Sequence, residues 1–146
     1  MIGTRIAHYK ILEKLGRGGM GVVYKAEDTK LERIVALKVL SRERGVSERD
    51  KRRFLLEARA AAALRHPNIC TVYEIGEDQD LSYIAMDYVP GRSLNQVVEE
   101  RPMAIEQVID IAIQIGKALR EAHNNGVVHR DIKSANIMVD DHGRVT

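Results

Sequence analysis

The sequence predicts an α+β fold in which a sheet-rich N-terminal half with one helix gives way to a helical C-terminal half. Three observations carry this prediction. Three β-type runs succeed one another between Tyr9 and Leu40 with only short turns between them. A capped helical stripe follows Ser47, and two further strand-like runs come after it. Finally, apolar residues recur at helical spacing from Ile105 to His123.

Each element has its own local reason. Ile11, Leu12 and Leu15 lead into Gly16-Arg17-Gly18-Gly19-Met20-Gly21, after which Val22-Val23-Tyr24 resumes β-type residues, and Ile34 to Leu40 forms the third apolar run. Ser47 followed by Asp50 fits a capping box, Phe54, Ala58, Ala61 and Ala62 supply the stripe, and His66-Pro67 ends the helix. Cys70 to Ile75 and Leu81 to Tyr88 read as a strand pair turning at Gly76-Glu77-Asp78. Val89-Pro90-Gly91-Arg92 is a linker into a short helix near Ser93. In the long helix Ile105, Val108, Ile109, Ala112, Ile115, Leu119 and Ala122 form the expected apolar stripe, with Gly126 placed to end it. Ile137-Met138-Val139 then reads as a strand entering a tight turn at Asp141-His142-Gly143.

Bulk properties narrow the function classes. The 146 residues are 45% hydrophobic and 30% charged, a composition that folds rather than stays disordered. A net charge of +2 gives no reason to expect a nucleic-acid partner, and Glu43, Glu48 and Asp50 interrupt the basic group Arg42, Arg44, Lys51, Arg52 and Arg53. The single Cys70 can form neither an internal disulfide nor a paired-thiol metal site, so a reducing compartment is expected. No run has the length of a membrane span or the layout of a signal peptide, and a cytoplasmic location without membrane contact is expected for this segment.

The glycine cluster Gly16-x-Gly18-x-x-Gly21-x-Val23 admits several readings. A dinucleotide fold would need a helix to open there, and Val22-Val23-Tyr24 opens one poorly; the phosphate loop ending in Gly-Lys-Ser/Thr lacks its terminus. In a β-hairpin the glycines let backbone amides approach phosphates, or simply give a pliable turn. Lys38 lies amid the apolar run Val35-Ala36-Leu37-Lys38-Val39, either facing solvent on an edge or buried and in need of an anion. Glu57, on the helix beside Phe54 and Ala61, is a candidate partner.

His129-Arg130-Asp131-Ile132-Lys133-Ser134-Ala135-Asn136 resembles the catalytic loop of protein kinases, and it follows the glycine loop, the Val-Ala-Leu-Lys strand and the helix bearing Glu57 in the family's order. The resemblance runs from about Tyr9 to Thr146 and is nearest to bacterial kinases of the eukaryotic serine/threonine type. It implies a protein-kinase-like fold: an N-lobe over 9–88 with a five-stranded antiparallel sheet and a regulatory helix, a hinge at 89–92, and the first part of a helical C-lobe over 93–146. It also implies ATP and Mg2+ as cofactors and a protein substrate with a serine or threonine acceptor.

The same resemblance assigns roles. Asp131 would orient the acceptor hydroxyl and take its proton, Lys133 would neutralise charge on the moving phosphate, and Asn136 would hold a magnesium ion. Lys38, paired with Glu57, would hold ATP phosphates. Leu15, Gly16, Gly18, Gly21 and Val23 would cover the nucleotide. Ala36, Val23 and Met138 would sandwich the adenine, with Met86 as gatekeeper and backbone groups of Asp87 and Val89 meeting its edge. His129 and Arg130 would be structural, Arg130 offering a cation to an activation-segment phosphate, and His66 and His123 are read as structural too. No Asp-Phe-Gly follows, so the chain alone is expected to be inactive, with the Ile105, Ile109, Ala112 and Ile115 face awaiting the missing C-lobe or a covering partner. A kinase-like module that binds nucleotide without transfer, and an interaction fragment that binds none, are the alternatives.

Overall fold

The computed structural model describes residues 1–18, 21–40, 47–129 and 131–146. Gly19 and Met20 of the glycine cluster, Arg42, Glu43 and Arg44 within 41–46, and Arg130 lie outside the described residues. The chain divides into two compact units, one of Met1–Ala62 with Thr71–Tyr88 and one of Ala63–Cys70 with Val89–Thr146.

The first unit is built on an antiparallel sheet of strands β1 (Arg5–Ile6), β2 (Tyr9–Gly18), β3 (Gly21–Asp28), β4 (Arg33–Leu40), β5 (Val72–Asp78) and β6 (Leu81–Asp87), in the order β1-β2-β3-β4-β6-β5. The five strands expected become six. The addition is β1, whose Arg5 and Ile6 pair with Lys10 and Tyr9. Two residues cannot display an alternating pattern, and the strand exists because Ile6 reaches the core beside Tyr9 and Ile11.

Register sorts the side chains. Val23 pairs with Lys38 and Lys25 with Ala36, while across β4 and β6 Ala36 pairs with Met86 and Lys38 with Ile84. Directly opposed residues share a face, so Tyr24, Val35, Leu37, Val39, Tyr83 and Ala85 gather on one side as the main core. The opposite side receives α1 (Glu48–Ala62), where Phe54 and Ala58 pack with Leu40 and Ile84. The predicted capping box forms at its start: the Asp50 amide donates to Ser47 Oγ and the Ser47 amide to Asp50 Oδ2, each at 3.2 Å.

In the second unit β7 (Arg92–Ser93) pairs with β8 (Met138–Val139), beside helices α2 (Leu94–Glu100) and α3 (Ile105–Asn124). Gln96 Oε1 accepts from both the amide and the hydroxyl of Ser93, which starts α2. Gly126, at φ 73, turns the chain out of α3. Val97, Ile111, Ile137, Val139 and Val145 form the core.

The face of α3 expected to await a cover is largely open, and the helix packs chiefly along a second line through Ile111. Ile111 and Ala122 are its buried residues and Ile115 packs partly, whereas Ile105 is 74% and Ile109 53% exposed and Ala112 is also open. A helix this rich in isoleucine carries two apolar lines, and the neighbours present, Ile137, Val139 and Val145, lie along the one through Ile111.

Candidate functional site

The N-terminal unit assembles one group of the predicted site residues from neighbouring strands. Val23, Ala36, Lys38 and Met86 occupy the same face of the sheet, placed there by the unbroken register of β3, β4 and β6. Ala36 is buried, and its small methyl keeps that part of the face flat. Gly18 and Gly21 pair across the end of the β2–β3 hairpin.

The glycines differ in what requires them. A Cβ on Gly21 would sit 2.4 Å from the Val39 carbonyl oxygen, so close approach of β4 already excludes any side chain there. A Cβ on Gly16 would meet nothing within 4 Å. Protein packing therefore explains Gly21 and leaves Gly16 to another cause. Leu15, next to it, is exposed.

Lys38 is half-buried, with its Nζ 5.7 Å from the centre of the Phe54 ring. Among the described residues it forms no ion pair with Glu57. Arg53 Nε instead donates to Glu57 Oε1 at 2.9 Å, one turn away on the same helix. Phe54 and Ala58 fill the sheet-facing side of α1, which leaves Glu57 exposed within reach of Arg53. Asp87 donates its amide to the Thr71 carbonyl at 2.9 Å, and its carboxylate accepts from the Tyr73 hydroxyl. Of the Asp87 backbone groups expected at an adenine edge, the N–H is thus committed within the sheet.

The C-terminal unit holds a second group, confined to one loop. A 3₁₀ turn over Ser134–Asn136 folds the chain back so that Asn136 Nδ2 donates to the Asp131 carbonyl at 3.0 Å and to its Oδ2 at 3.1 Å. Lys133 Nζ stands 3.0 Å from the same Oδ2. The Asp131 amide donates to His129 Nδ1 at 3.2 Å, fixing the loop from its other side. Lys133 first and Asn136 second hold the Asp131 carboxyl below its ordinary range, because both stabilise the anion. All three side chains are exposed.

Met138 and Val89, both half-buried, also belong to this unit. Met138 exchanges backbone hydrogen bonds with Thr146 at 2.8 and 2.9 Å. Gly91 lets the linker pass β8 closely, since a Cβ there would lie 2.3 Å from the Val139 carbonyl oxygen. One residue that the sequence reading passes over is Gln114. Its signal is a polar side chain three positions after Ile111 on the packed line of α3.

No cluster of three or more His, Cys, Asp or Glu side chains arranged to hold a metal occurs among the described residues; the loop's side-chain oxygens include the Asp131 carboxylate and the Asn136 amide. None of the described helices is long and apolar enough to cross a membrane.

The protein kinase domain family matches residues 9–146. The chain is 48% identical over 143 residues to a probable serine/threonine-protein kinase of Clostridium acetobutylicum, covering 97% of this chain and 22% of that protein. It is 42% identical over 147 residues to the serine/threonine-protein kinase PrkC of Bacillus subtilis, covering 99% and 23% respectively. Among solved structures, the PknI kinase domain of Mycobacterium tuberculosis superposes with a TM-score of 0.84 at 34% identity, over 99% of this chain and 60% of that one. The chain thus spans under a quarter of the length of these curated relatives.

Proposed function

Because this chain belongs to the protein kinase domain family, we propose that it carries the phosphate-binding and acceptor-activating groups of a serine/threonine protein kinase that uses ATP. The observation that carries the reading is the Asp131 carboxylate held between Lys133 and Asn136 on one short loop. In transfer, the acceptor oxygen forms its bond to the γ-phosphorus as the bond from that phosphorus to the bridging oxygen breaks, releasing ADP. The hydroxyl proton passes to Asp131.

Each residue has a task in that step. Asp131, with its depressed pKa, is ionised and ready to accept a hydrogen bond from the acceptor hydroxyl, orienting it before taking the proton. Lys133 brings a cation beside the site of attack, where charge gathers on the phosphoryl oxygens. Asn136 has Nδ2 committed to Asp131, which makes Oδ1 the atom to hold Mg2+. The ion, when bound, supplies charge neutralisation on the phosphates. Lys38 offers its ammonium to the phosphates from the face it shares with Val23 and Ala36, two apolar groups suited to an adenine. Open space at Gly16 supports the close approach of a ligand to that backbone.

The commitment of Glu57 to Arg53 favours a second reading, a module that binds nucleotide without transferring phosphate. Calorimetric titration with MgATP, joined to a transfer assay on serine- and threonine-containing protein, separates the two. Lys38→Ala should weaken MgATP about tenfold or more, the worth of a charge-assisted hydrogen bond. Asp131→Asn should leave affinity near that of the parent and abolish any transfer. Transfer that Asp131→Asn abolishes excludes the second reading, binding without transfer leaves both standing, and a folded parent chain that binds no MgATP sinks both.

A further inference from the structure

Gln114 is a polar residue on the packed line of an otherwise amphipathic helix, and every hydrogen-bonding position of its amide is used. Oε1 accepts from Asn68 Nδ2 at 3.0 Å and from the Val145 amide at 2.8 Å. Nε2 donates to the Gly143 carbonyl at 2.9 Å and to Asp110 Oδ2 at 2.8 Å. Two acceptor lone pairs and two donor hydrogens are the whole capacity of a primary amide.

Three of these four bonds leave α3, and they tie it to two segments far away in sequence. One is the turn at His66–Asn68, where Asn68 Nδ2 also donates to the Val145 carbonyl at 2.7 Å and Arg144 Nε and Nη2 donate to the Pro67 carbonyl at 3.1 and 2.8 Å. The other is the hairpin that returns from β8, closed by Asp140 Oδ1 accepting from the amides of His142 and Arg144. That hairpin is joined to Met138 by its paired bonds with Thr146, and Met138 follows Asn136 by two residues.

We propose that Gln114 is a positioning residue: its side-chain amide fixes the 143–145 return strand, and through it the placement of Met138 and Asn136. The proposal rests on the assignment of those two residues to nucleotide and Mg2+ binding. A leucine at 114 would fill similar space yet make none of the four bonds, and it would strand the Gly143 carbonyl and the Val145 amide in a half-buried setting. A loose return strand then lets Asn136 and Met138 drift.

The test compares the whole parent chain with Gln114→Leu and Asn68→Ala, singly and together, at a temperature where circular dichroism shows each folded. Amide hydrogen exchange over 137–146 should accelerate in Gln114→Leu, and MgATP affinity should fall about tenfold, the worth of two net hydrogen bonds. Asn68→Ala should add less to Gln114→Leu than it costs alone, because the two side chains share a bond and hold the same return strand. A residue that only stabilises the fold would not change the affinity of a fully folded chain. Unchanged exchange, or faster exchange with unchanged MgATP affinity, overturns the proposal while leaving the kinase reading in place. A parent chain that binds no MgATP overturns both, and Lys38→Ala run in parallel shows which site a measured affinity reports.

Discussion

Asp131, Lys133 and Asn136 sit within six residues of one another, and at that range the sequence alone sets much of their geometry. Lys133 is the larger cause of the depressed Asp131 pKa, so Lys133→Met should move it upward toward the ordinary carboxylate value. Side-chain carboxyl NMR of the whole chain across acidic pH would read this directly, and an unmoved titration would show that the ion pair is not made in solution. The sign for stability follows. A carboxyl depressed in the folded state favours folding above its ordinary pKa, and that contribution is lost as pH falls through the depressed value. Lys133→Met should flatten this acid limb. Glu57 shows the opposite case: the sequence places it on the right helix, but its partner depends on which face α1 turns inward. Phe54 and Ala58 take the inner face and Arg53 takes the carboxylate, so the Lys38 pairing was not legible from spacing.

Elements were legible where a long period repeats and illegible where a neighbour decides. β3 and β4 announce themselves by apolar runs flanking glycine and a charged turn, and α1 by its capping box. β1 has two residues and no pattern, and it is created by its pairing with β2. On α3, periodicity gives a helix of nearly the observed length and the apolar face that awaits a cover, where Ile105 and Ile109 are exposed, but it misses the second line through Ile111, because that one is chosen by Ile137, Val139 and Val145. The glycine hairpin yields a prediction at this scale. Gly21→Ala forces a methyl against the Val39 carbonyl and should destabilise the sheet by about 1–3 kcal/mol. Gly16→Ala meets open space and should leave the denaturation midpoint near that of the parent while weakening MgATP. Thermal melts and titrations on the two variants suffice, and equal destabilisation by both would contradict the distinction drawn between them.

The whole chain is joined across its two units at three places, between Ala62 and Ala63, Cys70 and Thr71, and Tyr88 and Val89. Residues 63–70 are therefore threaded through the sequence of the first unit, while the Asn68 side chain and the Pro67 carbonyl bond to Gln114, Val145 and Arg144 of the second. A fragment of residues 1–88 should keep exchange protection in β3, β4 and β6 and lose it over 63–70, where Asn68 and the Pro67 carbonyl are left without Gln114, Val145 and Arg144. Hydrogen exchange mass spectrometry on the fragment and the whole chain makes the comparison, and equal protection over 63–70 would refute it. The same threading bears on inheritance. A recombinant of two such genes spliced after Tyr88 takes its 63–70 turn from one parent and the residues that grip it from the other. Crossovers at the most obvious linker would be tolerated only between parents that agree at Asn68, Gln114 and Arg144.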